Sequence, residues 1–373
     1  MVHVCYGTQA ELIKLAPIII ELVRRGAAHR VIFTGQHVRE TRALLDHFHL
    51  RRPDCTLHAG KGVYSATRAA AWTGGILARA VLDRARFRRQ VFGPGPGVCV
   101  VHGDTLSTLL VVMLARVLGL KVAHVESGLR SYNWRHPFPE EIVRVIANHR
   151  ADLLFAPGSW ATDNLRKMKV KGRIVALAAN TGKDALDYTL ALPASNPPAQ
   201  RAEPYALASI HRFETVNQPD MLARAVNVVR HAAETVRIVW PLHTVTRRAL
   251  QSAGLLDGLA GANVELCDVL PYQVFARLLA AAEFVVADGG SIQEESFFLD
   301  KPCLLLRRTT ERREGLDENV VLSRWDAEII DAFLADPNRH RRRTAVPVER
   351  VSPVVVDELM AMDERLTRPA RHP

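Results

Sequence analysis

At 373 residues with 48% of them apolar, the chain is too long for one ordinary domain and can bury two cores. Its longest apolar runs, such as residues 109–118, fit buried helices and fall short of a bilayer span, which argues against a membrane protein. The formal charge of +10 is spread along the chain, and the densest basic run, residues 339–343, carries no interleaved aromatics, so a solvated surface is expected there and no nucleic-acid partner.

Residues 2–6 open the chain as a strand-like run, without the basic and small-residue flanks of a signal peptide, so a cytoplasmic location is expected. Further β-branched runs follow at 30–34, 98–101, 122–125 and 152–155. Between them, 11–25, 67–84, 105–118 and 140–149 carry helical periodicity. Such alternation predicts a parallel sheet covered on both faces. A second series starts at 173–177 and continues at 206–210, 236–240, 264–267, 284–287 and 303–306. The expected class is therefore α/β, with two Rossmann-like doubly wound domains facing a cleft. Residues 1–168 form the first and 169–352 the second, with the junction near 167–172. The Pro/Ala-rich stretch 192–204 reads as a surface loop. Residues 353–373 supply a last helix and tail that close the second domain or pack back on the first. The five cysteines lack C-x-x-C spacing, so no zinc site or disulfide is expected.

In doubly wound folds, ligands bind beyond the carboxyl ends of the strands, and the informative residues lie there. The apolar run 285–287 leads into Asp288-Gly289-Gly290-Ser291, where a helix is expected to open with Ser291 as N-cap and Glu294 completing a capping box. Free N–H groups and the helix dipole attract phosphate at such a point, and glycine admits a close approach. Glu295, one turn on, is placed to accept from a ribose diol. Asp104 ends another strand, and Thr105 or Asp104 itself is expected to cap the following helix. Glu126-Ser127-Gly128-Leu129-Arg130 follows the run 122–125. Pro137-Phe138-Pro139-Glu140-Glu141 opens a helix in which Arg144 is spaced to pair with Glu140. His211 and Arg212 end the run 206–210. Carboxylates in the first half can move protons, and cations with a helix start in the second can hold a departing diphosphate. That division suits C–O cleavage at a nucleotide-linked sugar.

Taken together, the motifs resemble the non-hydrolysing UDP-N-acetylglucosamine 2-epimerases. The match is ordered over most of the chain. It runs from Gly7-Thr8 with Glu11 and Lys14, through Thr34-Gly35-Gln36-His37, His102-Gly103-Asp104-Thr105 and residues 124–130, to Pro137–Glu141 with Arg144. It continues with Asn180 and Asp184, His211-Arg212 and Glu214, Pro241 and His243, residues 292–295, Lys301-Pro302, and Arg307 with Thr309-Thr310-Glu311-Arg312 and Glu314. The resemblance implies the glycosyltransferase-B architecture, a UDP-sugar substrate, a homodimer and no cofactor or metal. It also implies elimination of UDP to a 2-acetamidoglucal and re-addition with C2 inverted, interconverting UDP-GlcNAc and UDP-ManNAc or a related sugar. On that pattern Asp104, Glu126, Glu140 and His211 carry the chemistry. Lys14, Arg130, Arg144, Arg212, His243, Gly289, Gly290, Ser291, Glu295 and Arg312 bind substrate. The chain departs from the pattern at Gln9-Ala10, where Arg-Pro is usual, at Gly289-Gly290-Ser291 for Ser-Gly-Gly, and at Val143, Phe213 and Arg313. A glycosyltransferase using a UDP-sugar donor, a hydrolysing 2-epimerase and a binding protein without activity are the competing readings.

Overall fold

The computed structural model describes residues 1–36, 41–59, 66–134, 139–193, 203–259 and 263–367. His37, Pro137, Phe138 and residues 194–202 of the expected surface loop lie outside these. The chain divides into two compact units, residues 1–187 with 347–373, and residues 188–346.

In the first unit the strands are β1 (Val2–Tyr6), β2 (His29–Phe33), β3 (Cys55–Thr56), β4 (Val98–His102), β5 (Lys121–Val125), β6 (Leu153–Pro157) and β7 (Arg173–Leu177). The helices are α1 (Gln9–Arg24), α2 (Thr41–His47), α3 (Ala66–Leu82), α4 (Arg84–Val91), α5 (Leu106–Leu118), α6 (Glu140–Arg150), α7 (Gly158–Lys167) and α8 (Thr181–Ala191). The seven strands pair in parallel in the order β3-β2-β1-β4-β5-β6-β7. β7 was expected to begin the second series; it instead pairs with β6 over its whole length, from Leu153 opposite Arg173 to Pro157 opposite Leu177. The first unit thus reaches Asp187, past the junction expected near 167–172, and the division falls inside α8. Pairing is a long-range choice that periodicity does not encode.

The second unit holds β8 (Tyr205–Ser209), β9 (Arg237–Leu242), β10 (Val264–Asp268), β11 (Val285–Ala287), β12 (Cys303–Leu305) and β13 (Val320–Leu322). With them are α9 (Phe213–Val216), α10 (Pro219–Ala233), α11 (Thr244–Ser252), α12 (Tyr272–Ala281), α13 (Gly290–Phe298) and α14 (Ala327–Ala335). Its sheet, also parallel, runs β10-β9-β8-β11-β12-β13. The final helix α15 (Ser352–Thr367) returns to the first unit and packs on α1, β1 and β4.

Both sheets follow the doubly wound order, in which the chain starts mid-sheet, moves to one edge and then jumps to the other side of the first strand. The inner strands β1, β4, β6, β8, β11 and β12 are buried throughout, as strands of a covered parallel sheet are, while the edge strands β3, β7, β10 and β13 are partly exposed. One side of the first sheet packs Leu110, Val111 and Leu114 of α5 against Cys99, Val101 and Val122. In the second, Leu222, Val226 and Val229 of α10 cover one face with Trp240, and Leu278 and Leu279 of α12 cover the other. The topological switch points lie between β1 and β4 in one unit and between β8 and β11 in the other.

Candidate functional site

In the first unit, the segments leaving β1, β4 and β5 carry the ionisable groups. α1 opens at Thr8, whose hydroxyl accepts from Glu11 N while the Glu11 carboxylate returns to the Thr8 backbone, a full capping box. Lys14, one turn further and buried, extends its ammonium to Glu126 Oε2 at 2.5 Å. Asn180 donates to the same oxygen, and His102 Nε2 stands 3.8 Å from it. Glu126 holds a left-handed backbone, φ +63°, which costs a non-glycine residue energy and is tolerated where surroundings enforce it. Gly128 permits the next step of that turn: at φ +87° a Cβ would lie 2.2 Å from the Ala161 carbonyl oxygen.

Asp104 Oδ2 meets Arg144 Nη2 at 2.5 Å. The guanidinium of Arg144 reaches Asp104 and, at 3.4 Å, Glu141 of its own helix. Glu141 is fully buried and takes Arg130 Nε at 2.5 Å with Ser131 N and Oγ at 3.0 Å each. Burial pushes its pKa up, but the Ser131 and Arg130 donors outweigh that and hold the carboxyl below its ordinary value. Arg130 also lies 4.7 Å from the Tyr132 ring centre. His124, buried beneath the β4–α5 turn, contacts the Gly103 carbonyl at 2.8 Å; burial pushes its pKa down. A neutral imidazole there must donate through Nε2, since a carbonyl only accepts. Glu140 begins α6, half-buried.

In the second unit, α13 begins with Gly289 as N-cap and has no side-chain cap. Ser291 was expected to fill that place with Glu294 closing a capping box; the helix starts two residues earlier and Ser291 is an exposed first-turn residue. The glycines serve packing rather than unusual dihedrals. A Cβ on Gly289 would lie 3.1 Å from His211 Cε1, and one on Gly290 3.0 Å from Arg312 Nε. Arg312 is buried and reaches Glu294 Oε2 at 3.2 Å. Asp288, fully buried, accepts from His211 N at 3.0 Å and Arg212 N at 2.9 Å, which locks the end of β8 to the end of β11. The His211 and His243 rings lie against each other, tilted by 35°, with centroids 4.6 Å apart. Partial burial, then the neighbouring His211, lower the His243 pKa to about 4. Arg212 forks onto Glu214 at 3.2 Å through both Nε and Nη2. Glu295 Oε1 accepts from Tyr272 at 3.2 Å.

Each unit therefore gathers its expected site residues at its own switch point. In the first, the geometry brings together Lys14, Asp104, Glu126, Arg130 and Arg144. In the second, His211, His243, Gly289, Gly290 and Arg312 surround the start of α13. Sequence reasoning gave Glu141, Asn180 and Asp288 no role. Their positions after strands or in a first turn were visible, but the partners that define them are distant in sequence. Among the described residues, no group of three or more His, Cys, Asp or Glu is arranged to hold a metal, and the cysteines are free. No helix among them is long and apolar enough to cross a membrane.

Comparison with known proteins agrees with this geometry. Residues 21–348 match the family model described as UDP-N-acetylglucosamine 2-epimerase. A UDP-N-acetylglucosamine 2-epimerase of Bacillus subtilis is 33% identical over 349 residues, covering 90% of this chain and 88% of its own. A UDP-2,3-diacetamido-2,3-dideoxy-D-glucuronate 2-epimerase of Pseudomonas aeruginosa is 29% identical, covering 82% of each. Among solved structures, the Methanocaldococcus jannaschii UDP-GlcNAc 2-epimerase in complex with UDP-GlcNAc and UDP superposes with a TM-score of 0.83 at 27% identity, over 96% of this chain and 99% of that one. With the family model spanning most of the chain, this protein belongs to the UDP-N-acetylglucosamine 2-epimerase family.

Proposed function

We propose that the protein is a UDP-sugar 2-epimerase that interconverts UDP-GlcNAc and UDP-ManNAc, or a related UDP-2-acetamido sugar. The observation that carries this is the first unit's set of carboxylates, each held by a cation: Asp104 by Arg144 and Glu126 by Lys14. A protein that only bound UDP would have no use for them. In the forward reaction one carboxylate takes the proton from C2 as the C1–O bond to UDP breaks, leaving a C1=C2 double bond and free UDP. UDP then returns to C1 while a proton is delivered to the opposite face of C2. We assign Asp104, Glu126 and Glu140 to proton transfer and His211 to the departing diphosphate. The N–H groups at Gly289, Gly290 and Ser291 and the cations Arg212 and Arg312 supply anion stabilisation. Glu295 takes the ribose; His243 of the second unit and Arg130 of the first are assigned to substrate binding.

The test is proton NMR of UDP-GlcNAc with the protein in deuterated water. Deuterium at C2 together with the manno epimer is expected. The absence of both, with other UDP-2-acetamido sugars also inert, overturns the proposal. Free ManNAc would identify a hydrolysing enzyme, and turnover only with an added acceptor a glycosyltransferase.

A further inference from the structure

Glu11 lies in the first turn of α1, is 2% exposed, and takes no part in the steps above. Every group it touches can donate to it. Its Oε2 accepts from Gly7 N at 2.8 Å, Thr8 N at 2.9 Å and Thr8 Oγ1 at 3.1 Å. Its Oε1 accepts from Thr105 Oγ1 at 2.6 Å; Thr108 Oγ1 lies 3.2 Å away and has the His102 carbonyl, at 2.6 Å, as the nearer acceptor for its one proton. Thr8 and Thr105 are the N-caps of α1 and α5, and each hydroxyl also accepts from its own helix, from Glu11 N at 3.3 Å and Thr108 N at 3.2 Å. Each cap therefore spends its lone pair on its helix and its only proton on Glu11. One carboxylate completes two caps.

The two helix starts are also pressed together. A Cβ on Gly7 would lie 1.9 Å from Ser107 Oγ and 2.2 Å from Thr34 Oγ1. Ser107 Oγ in turn contacts Thr34 Oγ1 at 2.8 Å and Gln36 Oε1 at 2.6 Å. Burial raises the Glu11 pKa above its ordinary value, although the Thr105, Gly7 and Thr8 donors oppose it. What hangs on this joint is functional in character. Thr105 immediately follows Asp104, and Lys14 sits one turn along α1 on Glu126.

We propose that Glu11 is a positioning residue for the reaction: by bridging the caps of α1 and α5 it fixes Asp104 relative to the Lys14–Glu126 pair. The proposal rests on the epimerase reading above. Glu11→Gln keeps the size but replaces one acceptor by an NH2. With its remaining oxygen on the backbone N–H groups of Gly7 and Thr8, that NH2 faces the Thr105 hydroxyl, which must reverse from donor to acceptor, and that arm of the bridge is weakened.

The experiment measures kcat, KM and C2 exchange for wild type, Glu11→Gln, Thr105→Val, Thr105→Ser and the double variant Glu11→Gln/Thr105→Val, each normalised to folded protein. Glu11→Gln and Thr105→Val are expected to lower kcat about tenfold to a hundredfold, with KM changed less than about threefold, because misplacement acts on the reacting geometry. Thr105→Ser retains the hydroxyl and restores the rate, and the double variant is no slower than the worse single one. UDP affinity by calorimetry stays at the wild-type value, since α13 is untouched. Active wild type with a full kcat in Glu11→Gln overturns the positioning role alone, as does multiplicative loss in the double variant or a lower melting temperature with kcat intact. Wild type inert towards every UDP-2-acetamido sugar overturns the epimerase reading and this role with it.

Discussion

His3 is the second residue of β1, has no exposed surface, and packs edge-on against Phe92 with ring centroids 5.3 Å apart. Burial, then the N-terminal ammonium, Arg30 and Arg88, lower its pKa to about 3. In the unfolded chain the same ring titrates near 6.5. Between those values the unfolded state binds a proton that the folded state refuses, so stability rises with pH across the window and is lost as pH falls through it. Above about 6.5 the group contributes no slope. On acidification from pH 6.5 to 4, His3 is expected to cost about 1 kcal/mol per pH unit. His243, lowered to about 4, acts in the same direction, but its ring still meets solvent and its share is smaller. Urea unfolding at successive pH values checks this, with His3→Leu expected to flatten the acid limb. An unchanged slope in that variant would mean that His3 titrates as it does in solution.

Helix α13 shows how one element is prepared at both ends. Its start is left open between Gly289 and Gly290, while its end is closed by Arg342, whose Nη1 donates to the Phe297 and Phe298 carbonyls at 2.7 Å each. A cation there satisfies orphan carbonyls and complements the negative end of the dipole. Arg342 N also reaches Asp300 at 2.7 Å, and Arg343 donates to the Asp317 carbonyl at 2.8 Å. Of the basic run, Arg339, Arg341 and Arg343 are exposed, as expected of a solvated surface, while Arg342 ties the segment to the helix. Arg342→Ala is expected to destabilise the protein by about 1–2 kcal/mol, read from the chemical-denaturation midpoint; an unaltered midpoint would show that water replaces the guanidinium without cost. Elements with a strong period, such as α1, α5 and α6, were legible in the sequence, as were the apolar strands. β3 and β13, of two and three residues, were not, because no period develops over that length. Asp104, Glu126 and His211 were legible because a polar residue ending an apolar strand has no propensity reason to be there. The roles of Asn180 and Asp288 were not. A carboxamide on Glu126 or a carboxylate beneath His211 is defined by a partner that only folding supplies.

The chain leaves the first unit within α8 and comes back after Val346, so the first unit is completed only by residues 347–373. α15 is held by more than its apolar face. Asp184, 2% exposed, accepts from Val351 N at 3.2 Å, from Ser352 N at 2.7 Å and from the Ser352 hydroxyl. Arg173 forks onto Glu358 at 2.6 and 2.5 Å, Arg25 pairs with Asp357, and the N-terminal ammonium pairs with Asp363. The exposed pairs contribute little each. The decisive part is Val355, Val356 and Leu359, fully buried in the first unit's core. At about 1.5–3 kcal/mol per buried aliphatic side chain their loss removes about 5 kcal/mol or more, comparable to the whole stability of an ordinary domain. Removing residues 347–373 also strips Asp184 of three donors while it stays beside the core. Truncation after Val346 is therefore expected to unfold the first unit selectively. In hydrogen exchange, amides of β1 and β4 should lose protection by a hundredfold or more on the scale of about 1.4 kcal/mol per tenfold, while those of β8 and β11 keep theirs. Asp184→Asn in the full chain is the milder form: its NH2 meets either the Val351 donor or the Ser352 donors, and about 1–3 kcal/mol is lost from the first unit alone. Equal protection of β1 and β4 in truncated and full-length protein would show that α15 merely lies on a core already complete without it.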